Sequence, residues 1–279
     1  MKWPYLQVNV FSLDPLKGNP LAVIRPQVSL DSQRMQDFAR WTNLSETVFI
    51  EPSEVADYKI RLFTPQQEIP FAGHPSLGAL YCALAWGMAT AGRERYLQEC
   101  AAGQVELKAL GPSDYIVRMP EAHIRPLKPV QERLMRKLLR RELATGLVVE
   151  LGPKWLVSEV ESLEVLYQKS PAPSEVSALS LECGVSGLTL FYRDAEGNVE
   201  LRSFAPTAGV IEDPVCGSGN GAVAAYLREK GVIQAGSRYQ ARQGQALGRE
   251  GEVAIELTEG GIWVGGRVQA VIEGEVEGL

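Results

Sequence analysis

Residues 69–92 contain no Asp, Glu, Lys or Arg. Within them Leu77, Ala79, Leu80, Ala83, Leu84, Ala85 and Trp86 lie so close together that a helix built from them is apolar almost all round. Such a helix has no face to offer water and must be enclosed. A bilayer could do this, but a span needs about 20 predominantly apolar residues in a row, and Pro70, Gly73, His74, Pro75, Gly78 and Gly87 interrupt this one. The enclosing material is therefore the neighbouring chain. Strand-like runs at 7–11, 21–24, 46–50 and 58–63 are rich in Val, Ile, Phe and Tyr and sit between turn residues. A helix at 32–40 starts at Asp31 or Ser32, with the apolar Met35, Phe38, Ala39 and Trp41 at mostly three-to-four spacing. Strands enclosing a helix are the expected arrangement.

The construction occurs twice. "FTPQQEIPFAGHPSLGALYCALAWG" and "LRSFAPTAGVIEDPVCGSGNGAVAAYLREKG" each pass from a strand ending in Phe-x-Pro, through a proline-containing turn, to glycines that open a helix of small and apolar residues. Laying Gly78 on Gly221 (221 − 78 = 143) puts His74 on Gly217 and Gly73 on Cys216. Phe63 lies on Phe204 with an offset of 141 (204 − 63), so the second turn is two residues longer. Internal repetition of this kind predicts two similar lobes. The polar, proline-containing stretch 111–129 is the natural boundary, giving lobes 1–118 and 119–279. A helix at 130–143 opens the second lobe. The alternating run from Gly260 closes it, and its last strands could also pack back across the boundary.

Composition narrows the partners. Against 34 Asp and Glu stand 28 Lys and Arg, a net charge of −6, with no basic run. A nucleic-acid surface, which draws its affinity from phosphate neutralisation, is not expected; neither is a membrane, and a small organic molecule is the expected partner. The start, "MKWPYLQVNVFSLD", lacks the apolar core and cleavage site of a signal peptide, so a cytoplasmic location is expected. Cys82, Cys100, Cys183 and Cys216 are widely spaced and only two histidines accompany them, so neither a metal site nor a disulfide framework is predicted. The first three cysteines read as small buried hydrophobes. "GSGNGA" fits the loose dinucleotide pattern, but 232–248 lack the acidic residue that would hold a ribose, and the glycines follow Glu-Asp-Pro-Val rather than an apolar strand. No nicotinamide or flavin is expected.

Each glycine-preceded helix start exposes backbone N–H groups and the positive end of a helix dipole, which suits a carboxylate. Gly73, Gly217, Gly219 and Gly221 would let a ligand approach the backbone closely; equally, they could serve only tight turns and helix packing. Glu46, in "NLSETVFI", is either a solvated strand-edge residue or a proton shuttle buried against Leu44, Val48 and Phe49. His74 stands at a helix start, where the dipole would favour its neutral form; His123 reads as an exposed linker residue. Asp213 either begins the Asp-Pro turn or contacts a ligand. Cys216, just ahead of a helix, could be a nucleophile or proton carrier. Its counterpart Gly73 has no thiol, so a symmetric pair of cysteine bases is not available.

The segments "GNPLAVI", "NLSETVFI", "IRLFTPQQEIPFAGHPSLGA", "FAPTAGVIEDPVCGSGNGAVAAYL" and "GQALGR…VGGRV" resemble the PhzF family of phenazine-biosynthesis isomerase-like proteins, over residues 8–274, although 126–180 carry little of the likeness. The resemblance implies an α+β fold of the diaminopimelate epimerase type: two pseudo-symmetric lobes, each a mostly antiparallel sheet wrapped around a central helix, with the active site in the cleft and a homodimer as the assembly. It implies that Glu46 is the general acid/base, that His74 and Asp213 act with it, and that Ser218 helps position the substrate. Gly73, Ser76, Cys216, Gly217 and Gly219 would line the substrate site. The family's namesake moves a proton on a dihydro-hydroxyanthranilic acid without metal or organic cofactor. The implied function is a cofactor-independent isomerase acting on a small anionic, carboxylate-bearing substrate. Many members carry Thr at the place of Cys216, and related epimerases use two cysteines. An amino-acid epimerase or racemase pairing Glu46 with Cys216 therefore stays open, as does a non-catalytic binding protein.

Overall fold

A computed structural model of the chain describes residues 2–140, 145–168 and 170–279. The chain divides by its internal contacts into two compact units, Met1–Arg118 with Val264–Leu279, and Met119–Trp263. Among the described residues no helix is long and apolar enough to cross a membrane.

The first unit runs β1 (Lys2–Val10), β2 (Asn19–Ile24), α1 (Ser32–Thr42), β3 (Thr47–Glu51), β4 (Tyr58–Phe63), α2 (Gly73–Ala85), β5 (Arg95–Cys100), β6 (Gly103–Ala109) and β7 (Asp114–Arg118). β1 ends at Val10, one residue short of the expected strand, because Phe11 adopts φ 72°, a left-handed conformation that breaks the extended run. The α1 helix ends on Asn43 at φ 55°, whose N–H bonds Ala39 O; Asn tolerates this conformation better than most residues. β3 begins at Thr47, so Glu46 stands just outside the strand in which the sequence placed it.

The second unit holds β8 (His123–Pro126), α3 (Pro129–Leu139), β9 (Leu147–Glu150), β10 (Lys154–Glu159), α4 (Leu163–Tyr167), α5 (Pro173–Cys183), β11 (Gly187–Arg193), β12 (Val199–Ala205), β13 (Val210–Asp213), α6 (Gly217–Glu229), β14 (Arg238–Gln243) and β15 (Gly251–Thr258); the start of β16 (Gly261–Glu277) also lies in it. The α3 helix stops at Leu139 because Arg140 turns left-handed at φ 53°; residues 141–143, where the expected helix continued, lie outside the described residues. The stretch read as a linker instead carries β7 and β8. His123 belongs to β8, exposed and opposite Glu150.

In the first unit the strands follow the order β1-β2-β3-β4-β5-β6-β7-β16, and β16 pairs back onto β1, closing a ring. The β2–β3 and β4–β5 pairs are parallel because α1 and α2 are crossover connections. Strand alternation sorts β2 between two faces. Leu21 turns to α2, where its Cδ2 would lie 2.5 Å from a Cβ at Gly78, while Ala22 and Ile24 join Trp3, Phe49 and Phe63 under Met35, Phe38 and Ala39 of α1. The α2 helix packs on β1, β2, β3, β4 and β7, and Gly73 to Leu80, Cys82 and Ala83 are all buried. Strands thus enclose the helix as far as Ala83, whereas Leu84 and Trp86 are partly buried and Ala85 is exposed.

The second unit repeats the plan. Its order is β8-β9-β10-β11-β12-β14-β15 with β13 on β12, and β10–β11 and β12–β14 are the parallel pairs. The α6 helix packs on β9, β10, β11 and β15, with Gly217 to Leu227 buried. A separate core of Met135, Leu166, Val176 and Leu179 from α3, α4 and α5 with Leu156, Leu188 and Phe204 covers the other face.

Of the two courses expected for the C-terminal run, closing the second lobe and packing back across the boundary, the run takes the second. It forms one long strand, β16, whose residues from Val264 onward group with the first unit and complete its ring. Close approach at Gly265 makes this possible: a Cβ there would lie 2.2 Å from Ile116 Cγ2 and 2.3 Å from Tyr115 O. Gly265→Ala should therefore destabilise the fold by about 3 kcal/mol through overpacking, read as a lowered urea midpoint. Gly274→Ala on the same strand, where a Cβ meets nothing within 4 Å, should leave the midpoint almost unchanged.

Candidate active site

The first unit brings Glu46 and His74 together. Glu46, held at the entrance to β3, has a side chain only 13% exposed, and its Oε2 lies 3.7 Å from His74 Nε2. His74 is the second residue of α2 and is buried with the helix. That burial lowers its pKa to about 3 by penalising the charged ring. The imidazole is thus neutral, as the dipole argument anticipated, but desolvation is the cause. The N-cap of α2 is Ala72, which has no side-chain acceptor, and the N–H groups of Gly73 and His74 fall in the first turn, where no intrahelical acceptor exists. Ser76 is engaged within the unit: its hydroxyl donates to Ala72 O at 2.9 Å and accepts from Gln98 Nε2 at 3.0 Å.

Two residues that the sequence reading passed over join this half. Asn19, fully buried at the start of β2, places Nδ2 3.5 Å from His74 Nδ1, and its Oδ1 accepts from the Ser45 hydroxyl at 3.2 Å. Both lie in segments already singled out, Gly-Asn-Pro and Asn-Leu-Ser-Glu, yet their chemistry is that of ordinary turn residues until the fold joins them.

The second unit gathers Asp213, Cys216, Ser218 and Gly219 around the start of α6. Asp213 ends β13; its Oδ1 accepts the Val215 N–H at 3.1 Å and the Cys216 thiol hydrogen-bonds its carboxyl. Burial raises its pKa to about 6, outweighing those two hydrogen bonds, and the Glu212 charge adds to the rise. Cys216 is the N-cap of α6: its Sγ accepts the Gly219 N–H at 3.2 Å and lies 3.5 Å from Ser218 Oγ. A side-chain acceptor is favoured at an N-cap, and here, unlike at Ala72, sulfur supplies it. Ser218 Oγ accepts from Trp155 Nε1 at 3.0 Å. Gln243, from β14, ties the group together. Its Oε1 accepts from Cys216 N and Asn220 Nδ2, each at 3.0 Å, and its Nε2 donates to Asp213 O at 3.0 Å. Neither Gln243 nor Trp155 carries a local sequence signal for this task.

The glycine at 219 is required by the protein itself. A Cβ there would lie 2.5 Å from Ser203 Oγ, 3.1 Å from Thr189 Oγ1 and 3.2 Å from Cys216 Sγ. Gly221 likewise faces Met119 and Leu151. Both glycines thus stand in close packing against side chains of their own unit. Gly217 is the first residue of α6, and its N–H and that of Ser218 fall in the first turn.

The repeat is also unequal at the position of Glu46. Thr47 pairs with Phe63 and Leu188 with Phe204, so laying Phe63 on Phe204 puts Glu46 on Gly187. A Cβ at Gly187 would lie 2.1 Å from Phe204 O and 2.8 Å from Trp155 Cζ3. Only the first unit has room for a carboxylate at that position. Among the described residues no group of three or more His, Cys, Asp or Glu is arranged to hold a metal ion.

The model of the phenazine biosynthesis-like protein family, PhzC-PhzF, matches residues 8–274. Antisense-enhancing sequence 1 of Schizosaccharomyces pombe is 32% identical over 288 residues, covering 97% of both chains. The trans-2,3-dihydro-3-hydroxyanthranilate isomerase of Pseudomonas aeruginosa is 33% identical over 259 residues, covering 88% of this chain and 87% of the relative. A crystal structure of a Bacillus anthracis phenazine biosynthesis protein of the PhzF family has a TM-score of 0.85 to this chain at 22% identity, covering 99% of both; that likeness shows the fold.

The two buried titrating groups act on stability with opposite signs. His74 stays neutral in the folded state down to about pH 3 while the unfolded ring titrates at 6.5, so its contribution is present above pH 6.5 and is lost as the pH falls toward 3. Asp213 titrates at about 6 folded and at 3.8 unfolded, so its contribution is present below 3.8 and is lost as the pH rises through 6. Urea unfolding at a series of pH values should show His74→Gln flattening the acid-side loss, by up to about 1.4 kcal/mol per pH unit. Asp213→Asn should remove a decline between pH 4 and 6. Unchanged slopes would refute the assigned protonation states.

Proposed function

Because the chain belongs to the phenazine biosynthesis-like PhzF family and is an isomerase, we propose that it moves a proton on a small carboxylate-bearing substrate with Glu46 as general acid/base and without an organic cofactor. The observation that carries this reading is the Glu46 carboxylate, shielded from bulk water beside an imidazole that burial keeps neutral. In the first step the carboxylate takes a proton from a substrate C–H, and the bonding pair stays on the substrate as a delocalised anion. In the second, the O–H formed on Glu46 gives the proton to another carbon of the same anion. A base placed within hydrogen-bond reach of the reacting atom supplies roughly 10²–10⁴-fold of acceleration. A neutral His74 donates a hydrogen bond to an oxygen as charge builds, and first-turn N–H groups stabilise the substrate carboxylate.

The family resemblance assigns Asp213 and Ser218 to hold the substrate. On α6 the N–H groups of Gly217 and Ser218 suit an anion, whereas that of Gly219 is already given to Cys216 Sγ. Gly187 in place of a second glutamate favours a single carboxylate that both removes and returns the proton, hence isomerisation. The epimerase reading needs Cys216 as partner base, and its thiol is engaged as helix cap and with Asp213.

Small cyclic acids and amino acids screened in heavy water, starting with the dihydro-hydroxyanthranilate of the Pseudomonas aeruginosa relative, should reveal a compound that gains deuterium. Glu46→Gln should lower that exchange by about 10³-fold with binding largely retained. Undiminished exchange would overturn the proton-shuttle role. Cys216→Ala should keep turnover, and its loss would favour the two-base epimerase.

A further inference from the structure

A neutral imidazole carries one N–H and one lone pair, so which nitrogen bears the proton decides whether His74 offers Glu46 a donor or an acceptor. Two observations bear on this. The Asn19 amide has its Oδ1 occupied by the Ser45 hydroxyl at 3.2 Å, which leaves its NH₂ group toward His74 Nδ1 at 3.5 Å. A nitrogen facing that donor must present its lone pair. Independently, Nε2 lies 3.7 Å from the Glu46 carboxylate oxygen and makes no hydrogen bond among the described residues. A lone pair there would face an acceptor oxygen, whereas an N–H would face it favourably. Both observations select the same tautomer.

Asn19 is well placed to impose it. The preceding Gly18 gives its N–H to Asn9 Oδ1 at 2.8 Å, and a Cβ on Gly18 would lie 2.1 Å from Val10 O, so the turn that delivers Asn19 is fixed. Ser45 is the residue before Glu46. The loop that holds the carboxylate therefore also orients the amide that orients the ring.

We propose that Asn19 is a positioning residue that holds the His74 proton on Nε2, toward Glu46, with Ser45 setting the direction of the Asn19 amide; this rests on the reading of Glu46 as the proton carrier. His74 then acts as an uncharged hydrogen-bond donor, either to the Glu46 carboxylate or to a substrate oxygen beside it. It does not compete for the substrate proton.

Nitrogen-15 NMR of the full-length protein tests the assignment without a substrate. His123 is the only other histidine, and His123→Gln removes its signals. At pH 7 His74 should show a protonated Nε2 and an unprotonated Nδ1. Asn19→Asp turns an acceptor toward Nδ1 and should move the proton there; Ser45→Ala, a milder change for use if the first variant does not fold, should give a mixture of tautomers. Exchange activity in heavy water should fall on the order of 100-fold or more in Asn19→Asp, mainly in kcat, as when an orienting residue imposes the wrong tautomer. A wild-type ring protonated on Nδ1, or a tautomer unmoved in both variants, overturns the proposal. The two readings fail separately: exchange retained in Glu46→Gln removes the proton-shuttle reading, whereas an Nδ1–H ring in a protein that Glu46→Gln inactivates removes only the role of Asn19.

Discussion

A helix without a polar face is stable only where its whole circumference is kept from water, and α2 imposes that condition on everything around it. The closed course of strands from β1 to β7 and β16 meets it. The same enclosure carries His74 inside with the first turn of the helix, and a ring so placed cannot afford a charge. The electrostatics of the Glu46 region thus descend from a packing requirement visible in an uncharged stretch of sequence. In the second unit, α6 takes Asp213 and Cys216 into the same kind of interior, and the carboxyl responds by holding its proton to higher pH.

The parts of the fold legible in the sequence were those whose signal is local. The run 58–63 matches β4 residue for residue, because Tyr58, Ile60 and Leu62 alternate with Lys59 and Arg61 and turn residues bound the run on both sides. Strand ends were less legible, since Phe11 turns left-handed for reasons that lie in its contact with Arg267 O, far away in the chain. β8 reads as loop because its polar residues and proline are mostly exposed, and in β7 the buried run Tyr115, Ile116 and Val117 is only three residues long between prolines and polar residues. The site divides in the same way. Motifs marked Glu46, His74, Asp213, Cys216 and Ser218, and the structure places the first two side by side and the other three around one helix start. Asn19, Trp155 and Gln243 were invisible because an amide or indole reveals its partner only after folding; Gln243 reaches Cys216 across 27 positions and Trp155 reaches Ser218 across 63.

Cys216 illustrates how a local rule can point to chemistry and the fold to a plainer duty. A thiol before a helix suggests reactivity, yet its sulfur occupies the capping position that a hydroxyl fills elsewhere. Gly187 is the complementary case. The repeat suggests equal halves, but Trp155 and the Phe204 carbonyl occupy the volume that a side chain matching Glu46 would need. A steric exclusion at Gly187 is thus one of the differences, with His74 against Gly217 and Gly73 against Cys216, that separate the two copies of one plan.

The membership of β16 has a consequence for biosynthesis. Strands β1 to β7 leave the ribosome before the other unit, but the edge that must seal them arrives only with residues 264–277, after that unit has been made. Until then β1 and β7 present unsatisfied ladders, a standing invitation to pair with a foreign strand. The middle unit, by contrast, has nearly all of its own sheet in hand as it emerges. Nascent chains should thus mature from the centre outward, with the N-terminal segment waiting, exposed to chaperones, for the C-terminal ribbon to complete it.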